Sequence, residues 1–184
     1  MKATRIVTFL FATSLIGATP VIALQHDSPP QAAPALVATK PITALAWLVG
    51  GVWTADASKL GPGLQRIETR YSWSDNGSYI RFTTRFVSDK STLKNYDGNF
   101  FWDPTRHTLA MWYMDASNNI TQGPTTFTGD HWQMAFRGDD FAGKPSDLQV
   151  DVLRRSNDLY HWSLSEKDDD SWKTLLELDY ARKQ

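Results

Sequence analysis

LQRIETRYSWSDNGSYIRFTTRFV, residues 64–87, sets two alternating runs on either side of Asp75-Asn76-Gly77. In the first run Ile67, Thr69, Tyr71 and Trp73 alternate with Arg66, Glu68, Arg70 and Ser72. In the second, Ile80, Phe82, Thr84 and Phe86 alternate with Tyr79, Arg81, Thr83 and Arg85. A period of two places successive side chains on opposite faces of an extended chain, and Asn-Gly supplies the left-handed backbone of a tight turn. The stretch therefore reads as a β-hairpin.

The same rhythm runs outward from it. Strands are expected at Val52–Ser58, Tyr96–Trp102, His107–Met114, Ile120–Phe127, His131–Phe136, Leu148–Arg155, Leu159–Glu166 and Trp172–Tyr180. The segments between them, such as Asp103-Pro104-Thr105-Arg106 and Ser156-Asn157-Asp158, hold the residues that turns require. About ten hairpin-linked strands with no crossover helix predict an all-β, up-and-down antiparallel barrel, since closure removes the edges of such a sheet. Before the first strand, Ile42, Leu45, Trp47 and Leu48 recur at helical spacing until Gly50-Gly51, which predicts one short N-terminal helix.

The chain's beginning is read differently. Lys2 and Arg5, an apolar run from Ile6 to Ile16, and small residues ending in Val21-Ile22-Ala23 form a secretory signal, residues 1–23. The run is about half of the roughly 20 residues that span a bilayer, so no membrane span is expected. Residues 24–41, with Pro29, Pro30, Pro34 and Pro41, read as a flexible tether, and residues 42–184 as the barrel domain. The protein is expected to be exported, periplasmic or secreted, and with no cysteine it has nothing to oxidise there.

The 184 residues suit one hydrophobic core, and eight Trp, nine Phe and six Tyr provide large side chains to fill it. Without Lys2 and Arg5, 17 basic residues stand against 20 acidic ones, a net charge of −3. That is far from the basic surplus needed to bind a phosphate backbone, so nucleic acid is not an expected partner.

Two stretches carry a family resemblance. Leu45-Ala46-Trp47-Leu48-Val49-Gly50-Gly51-Val52-Trp53 resembles the Gly-x-Trp opening of lipocalin-like (calycin) barrels. Gly98-Asn99-Phe100-Phe101-Trp102-Asp103-Pro104-Thr105-Arg106-His107, continuing to Trp112 and Asp115, resembles a bacterial family of uncharacterised lipocalin-like proteins. The resemblance covers residues 45 to 181 and implies the barrel fold; it brings no catalytic residues. Physically, Gly50 or Gly51 would let the chain turn into the first strand, and Trp53 would plug the narrow end. Nitrobindins share this broad architecture and bind haem iron through a His, whereas the last strand here carries Tyr180 and no His.

Catalytic and metal motifs are missing from the sequence. His26, His107, His131 and His161 are widely spaced, Asp139-Asp140 and Asp168-Asp169-Asp170 lack calcium-loop spacing, and no Gly-x-Ser-x-Gly elbow occurs. No metal and no cofactor are expected. Glu68, Asp97, Asp151 and Glu177 lie on strands whose facing alternation alone leaves open. The arginine face of the first hairpin is either solvent or the inside of a wide barrel where Arg66, Arg70, Arg81 and Arg85 meet an anionic group. Phe100-Phe101-Trp102 and Leu109–Met114 are apolar on both faces, which calls for a second cover: the short helix, a lid, or a second copy of the chain in a homodimer.

The first expectation is thus a binding module. Its cavity, lined by Trp53, Trp73, Arg81, Trp102, Trp112, Trp132, His161 and Trp162, would take a small apolar or amphipathic molecule. The alternatives are a pocket-based isomerase or hydrolase, and a structural, self-assembling barrel with a filled interior.

Overall fold

The computed structural model describes residues 41–139 and 144–184; the expected leader, residues 1–23, and residues 24–40 of the expected tether lie outside them. A 3-10 helix, Pro41–Leu48, leads into ten strands. They are β1 Val52–Asp56, β2 Leu64–Trp73, β3 Tyr79–Ser88, β4 Thr92–Asp103, β5 Thr108–Asp115, β6 Ile120–Thr128, β7 His131–Asp139, β8 Pro145–Arg154, β9 Leu159–Asp168 and β10 Ser171–Lys183. Each strand pairs antiparallel with the next, and β1 also pairs with β10, so the sheet closes into an up-and-down barrel. The expected fold class is the observed one. No described helix is long and apolar enough to cross a membrane.

Pro41 opens the helix, a position where its missing N–H costs nothing. Two glycines then reverse the chain. Gly50 and Gly51 have φ of 93° and 68°, and a Cβ on Gly51 would sit 2.7 Å from the Lys183 carbonyl oxygen. Only glycine fits that approach of backbone to backbone.

Registration sorts the side chains. Trp53 pairs with Thr69, Thr69 with Thr84 and Thr84 with Tyr96, so these four share one face. Trp53, Ile67, Ile80, Phe100, Met111, Trp132, Val152 and Tyr160 are buried together with Ile42, Leu45 and Leu48 of the helix in one core cluster. That face is therefore the inside, and the helix closes the barrel end where β1 begins. It does not lie over the outer side of β4 and β5, where Phe101, Ala110, Trp112 and Met114 face outward.

Inside, space is made by a small residue. Gly98 faces inward opposite Phe82 and Tyr113, and a Cβ there would meet the Phe82 ring at 2.6 Å and the Trp112 carbonyl oxygen at 2.4 Å. The Phe82 ring lies 5.4 Å from Phe100 and 6.1 Å from Tyr71.

Candidate functional site

One end of the barrel is sealed by rings. Trp53 is fully buried and its Nε1 donates to the Leu48 carbonyl at 2.7 Å. Trp47 meets Trp53 and Tyr160 edge-on, each at 5.7 Å, and Tyr160 stacks on Tyr180 at 4.8 Å. Two cations pack on the plug: Arg182 lies 4.5 Å from the Trp53 ring centroid and Arg154 lies 5.2 Å from that of Trp47.

Next to this plug runs a band of hydroxyls on the inner wall. The Thr69 and Thr84 hydroxyls are 2.9 Å apart, and those of Tyr71 and Tyr160 are 3.5 Å apart. Burial pushes the Tyr71 phenol up to about 12, against the bond to Tyr160, which lowers it. Burial likewise raises Tyr160, Tyr180 and Tyr113 above the usual phenol range. All four remain neutral at neutral pH and act as hydrogen-bonding groups, not as bases.

Two inner-wall polar atoms stand apart from this band. Thr125 Oγ1 and Trp132 Nε1 are buried with no hydrogen-bond partner among the described residues. Thr125 pairs across the sheet with Met134, two residues from Trp132 on the same face, so the two side chains are diagonal neighbours. Such neighbours stand roughly 7–8 Å apart, close enough for one small molecule to reach both. Rings and aliphatic groups surround them: Trp102, Leu109, Met134, Val150 and Leu164 follow the same cross-strand row as Thr125, and Phe100 meets Trp132 edge-on at 5.5 Å. Buried polar groups are nearly always paired, with protein or with ordered water, so these two atoms leave one donor and one hydroxyl to bond with a water or another small polar molecule.

The end opposite the plug is polar. A depression of about 510 Å³ is bordered by Arg137, Lys144, Ser146, Glu166, Lys167 and Lys173, among others. Ser146 and Glu166, hydrogen-bonded to each other, follow the inward rows of β8 and β9, with Leu148 and Leu164 next along those rows. The surface thus changes from charged rim to apolar wall over a few residues. A second depression, of about 410 Å³, lies on the outer wall over β2 and β3.

The eight side chains expected to line a cavity do not converge. Trp53 and Trp132 are core residues, and Trp73, Trp102 and Trp162 face inward and pack against that core. Arg81, Trp112 and His161 stand on the outer wall, which corrects the expectation that they face a cavity. Alternation had assigned them only to one of two faces. Arg81 borders the outer depression, and no tryptophan borders either one. His161 is bonded through Nδ1 to Asp179 at 2.9 Å, and His131 through Nε2 to Asp151 at 2.9 Å, both outside. Glu68, Asp97, Asp151 and Glu177 also face outward, so none of these four acids meets another inside the barrel. Among the described residues no three His, Cys, Asp or Glu side chains gather as a metal site.

Thr125, Tyr71, Tyr160, Ser146 and Glu166 were missed from sequence. A signal existed for Glu166, an acid that directly continues the period-two row of Trp162 and Leu164. None existed for Thr125, whose lack of a partner depends on neighbouring strands.

Comparison with known proteins adds little to this geometry. No protein-family model and no curated protein matches the chain. Among solved structures, the chain is similar to the crystal structure of Rv2717c from M. tuberculosis at 15% sequence identity, covering 78% of this chain and 97% of that one, with a TM-score of 0.49.

Proposed function

We propose that this protein is an exported, lipocalin-like binding protein that holds one small amphipathic molecule inside its barrel. The observation that carries the reading is the orphaned pair Thr125 Oγ1 and Trp132 Nε1, set among rings and aliphatic side chains of the inner wall. A hydroxyl or carbonyl oxygen on the ligand accepts from the indole N–H and pairs with the threonine hydroxyl. Trp102 and the aliphatic residues beside Thr125 bury its apolar part. Leaving a buried donor unpaired costs about 1–3 kcal/mol, and a bound molecule recovers that cost. Entry is from the polar end, because the helix and the Trp53 plug occupy the other. The N-terminal Lys2 and Arg5, the apolar run and Val21-Ile22-Ala23 support export, with the mature chain starting at Leu24.

Native mass spectrometry of the mature protein from its own compartment, set against the denatured mass of the same sample, tests this reading. An extra mass that disappears on denaturation, and is reduced in Thr125→Val, supports it and delivers the ligand. A filled structural barrel instead yields a bare mass in both states. An N-terminal residue other than Leu24 in the purified protein would overturn the assigned cleavage site.

A further inference from the structure

We infer that the outer wall of β2 and β3 is a second binding site, for an extended oligoanion: a chain of phosphate or carboxylate groups. It shares no residue with the interior site proposed above.

The outward rows of these strands bring three arginines around one threonine. Arg70 is directly opposite Thr83, and Arg81 and Arg85 lie two residues to either side of Thr83 on the same strand. Arg70 is therefore a diagonal neighbour of both, at roughly 7–8 Å. From Arg81 to Arg85 the strand rises about 13 Å. The depression of about 410 Å³ follows this line, bordered by Glu68, Arg70, Ser72, Arg81, Thr83 and Arg85 and ending at Gly50-Gly51.

The charges here are available. Arg70 and Arg85 are exposed and form no ion pair with the described residues. Arg81 is already oriented, donating to the Tyr79 hydroxyl at 3.1 Å with its guanidinium 5.5 Å from that ring's centroid. Glu68 is the acid bordering the depression, and its carboxylate is engaged by Arg66 at 2.7 Å. Asp97 accepts from the Thr83 hydroxyl at 2.7 Å, on the side of β3 away from Arg70. In a chain of net charge −1, three neighbouring guanidinium groups without an ion pair among the described residues are a local reversal of sign. Guanidinium groups bind phosphate and carboxylate by paired N–H donors. Three of them strung over about 13 Å match successive anionic groups on one chain better than a single small anion.

The test is calorimetric titration of the full mature protein at low ionic strength with tripolyphosphate, hexaglutamate and orthophosphate. Tripolyphosphate or hexaglutamate is expected to bind at least tenfold more tightly than orthophosphate, and the tighter of the two identifies the anionic group. Arg70→Gln and Arg85→Gln should each weaken binding about tenfold and weaken its salt dependence. The double variant Arg106→Gln/Arg155→Gln removes two exposed charges elsewhere and should bind as the parent does. Equal affinity for orthophosphate and both chains, no binding of either chain, or unchanged binding by folded Arg70→Gln/Arg85→Gln would each overturn the inference. Folding of the variants is checked by their thermal midpoints.

Discussion

The guanidinium of Arg182 on β10 lies 4.5 Å from the centroid of the Trp53 ring on β1, its direct cross-strand partner at the seam that closes the barrel. The same group donates to the carbonyl oxygens of Val49 at 3.0 Å, Gly50 at 3.3 Å and Asn157 at 2.9 Å, and to that of Trp47. The Asp158 carboxylate lies 3.2 Å from its Nε. A single side chain thus satisfies the carbonyls that the short helix leaves open and covers the plug. Arg182→Ala is expected to cost about 3 kcal/mol, because four carbonyls, those of Val49 and Trp47 partly buried, lose a charged donor at once. Arg182→Lys keeps the charge and loses the planar fork, so it should restore less than half. Urea denaturation midpoints measure both.

Gly98 is where the inner wall has least room. Gly98→Ala forces a methyl group against the Phe82 ring and the Trp112 carbonyl, and backbone cannot yield as a side-chain tip does. A loss of about 1–3 kcal/mol is expected. Phe82→Leu in the same chain should recover part of it by removing the ring edge, and a double-mutant cycle reads the coupling. Additive losses would show that the Trp112 carbonyl contact dominates.

High pH should unfold the protein. Tyr71 is held at about 12 in the folded state by burial, against 10 when unfolded, so the unfolded chain releases its proton first. Stability from this group is complete below pH 10 and is lost as pH rises from 10 through 12, about 3 kcal/mol in all. Tyr113, Tyr160 and Tyr180 shift in the same direction and add to the slope. Tyrosinate absorbance should show these four ionising late and together with the loss of near-ultraviolet circular dichroism.

Thr125→Val separates the folded protein's needs from the ligand's. It deletes an unpaired buried hydroxyl and keeps the volume, so the ligand-free protein should hold its thermal midpoint or gain slightly. Affinity for the molecule recovered from the native protein should fall about tenfold, and Trp132→Phe should act in the same direction. A ligand-free variant that melts well below the parent would show that the hydroxyl serves packing.

Much of the fold was legible in the chain. All ten strands appear where alternation and turn residues placed them, with differences at the ends. β4 begins at Thr92, four residues before the expected Tyr96, because Thr92 finds its partner in Val87 of β3. β10 runs past Tyr180 to Lys183 because Ala181, Arg182 and Lys183 pair with Thr54, Trp53 and Val52. Neither extension has a local signal, since each depends on a partner strand.

The site was far less legible. Period-two alternation divides a strand into two faces with no knowledge of the rest of the chain, and with the turn residues that local rule sufficed for strand number and antiparallel order. It does not say which face is inside when both carry rings, as with Met111 and Trp112, and so Arg81, Trp112 and His161 were placed on the wrong wall. Facing was decided by closure, when β1 met β10 from the other end of the chain and one set of rows lost its access to water. The orphaned pair at Thr125 and Trp132 and the three arginines around Thr83 arise in the same way. Each is a relation across strands, set by register and not by any residue's sequence neighbours.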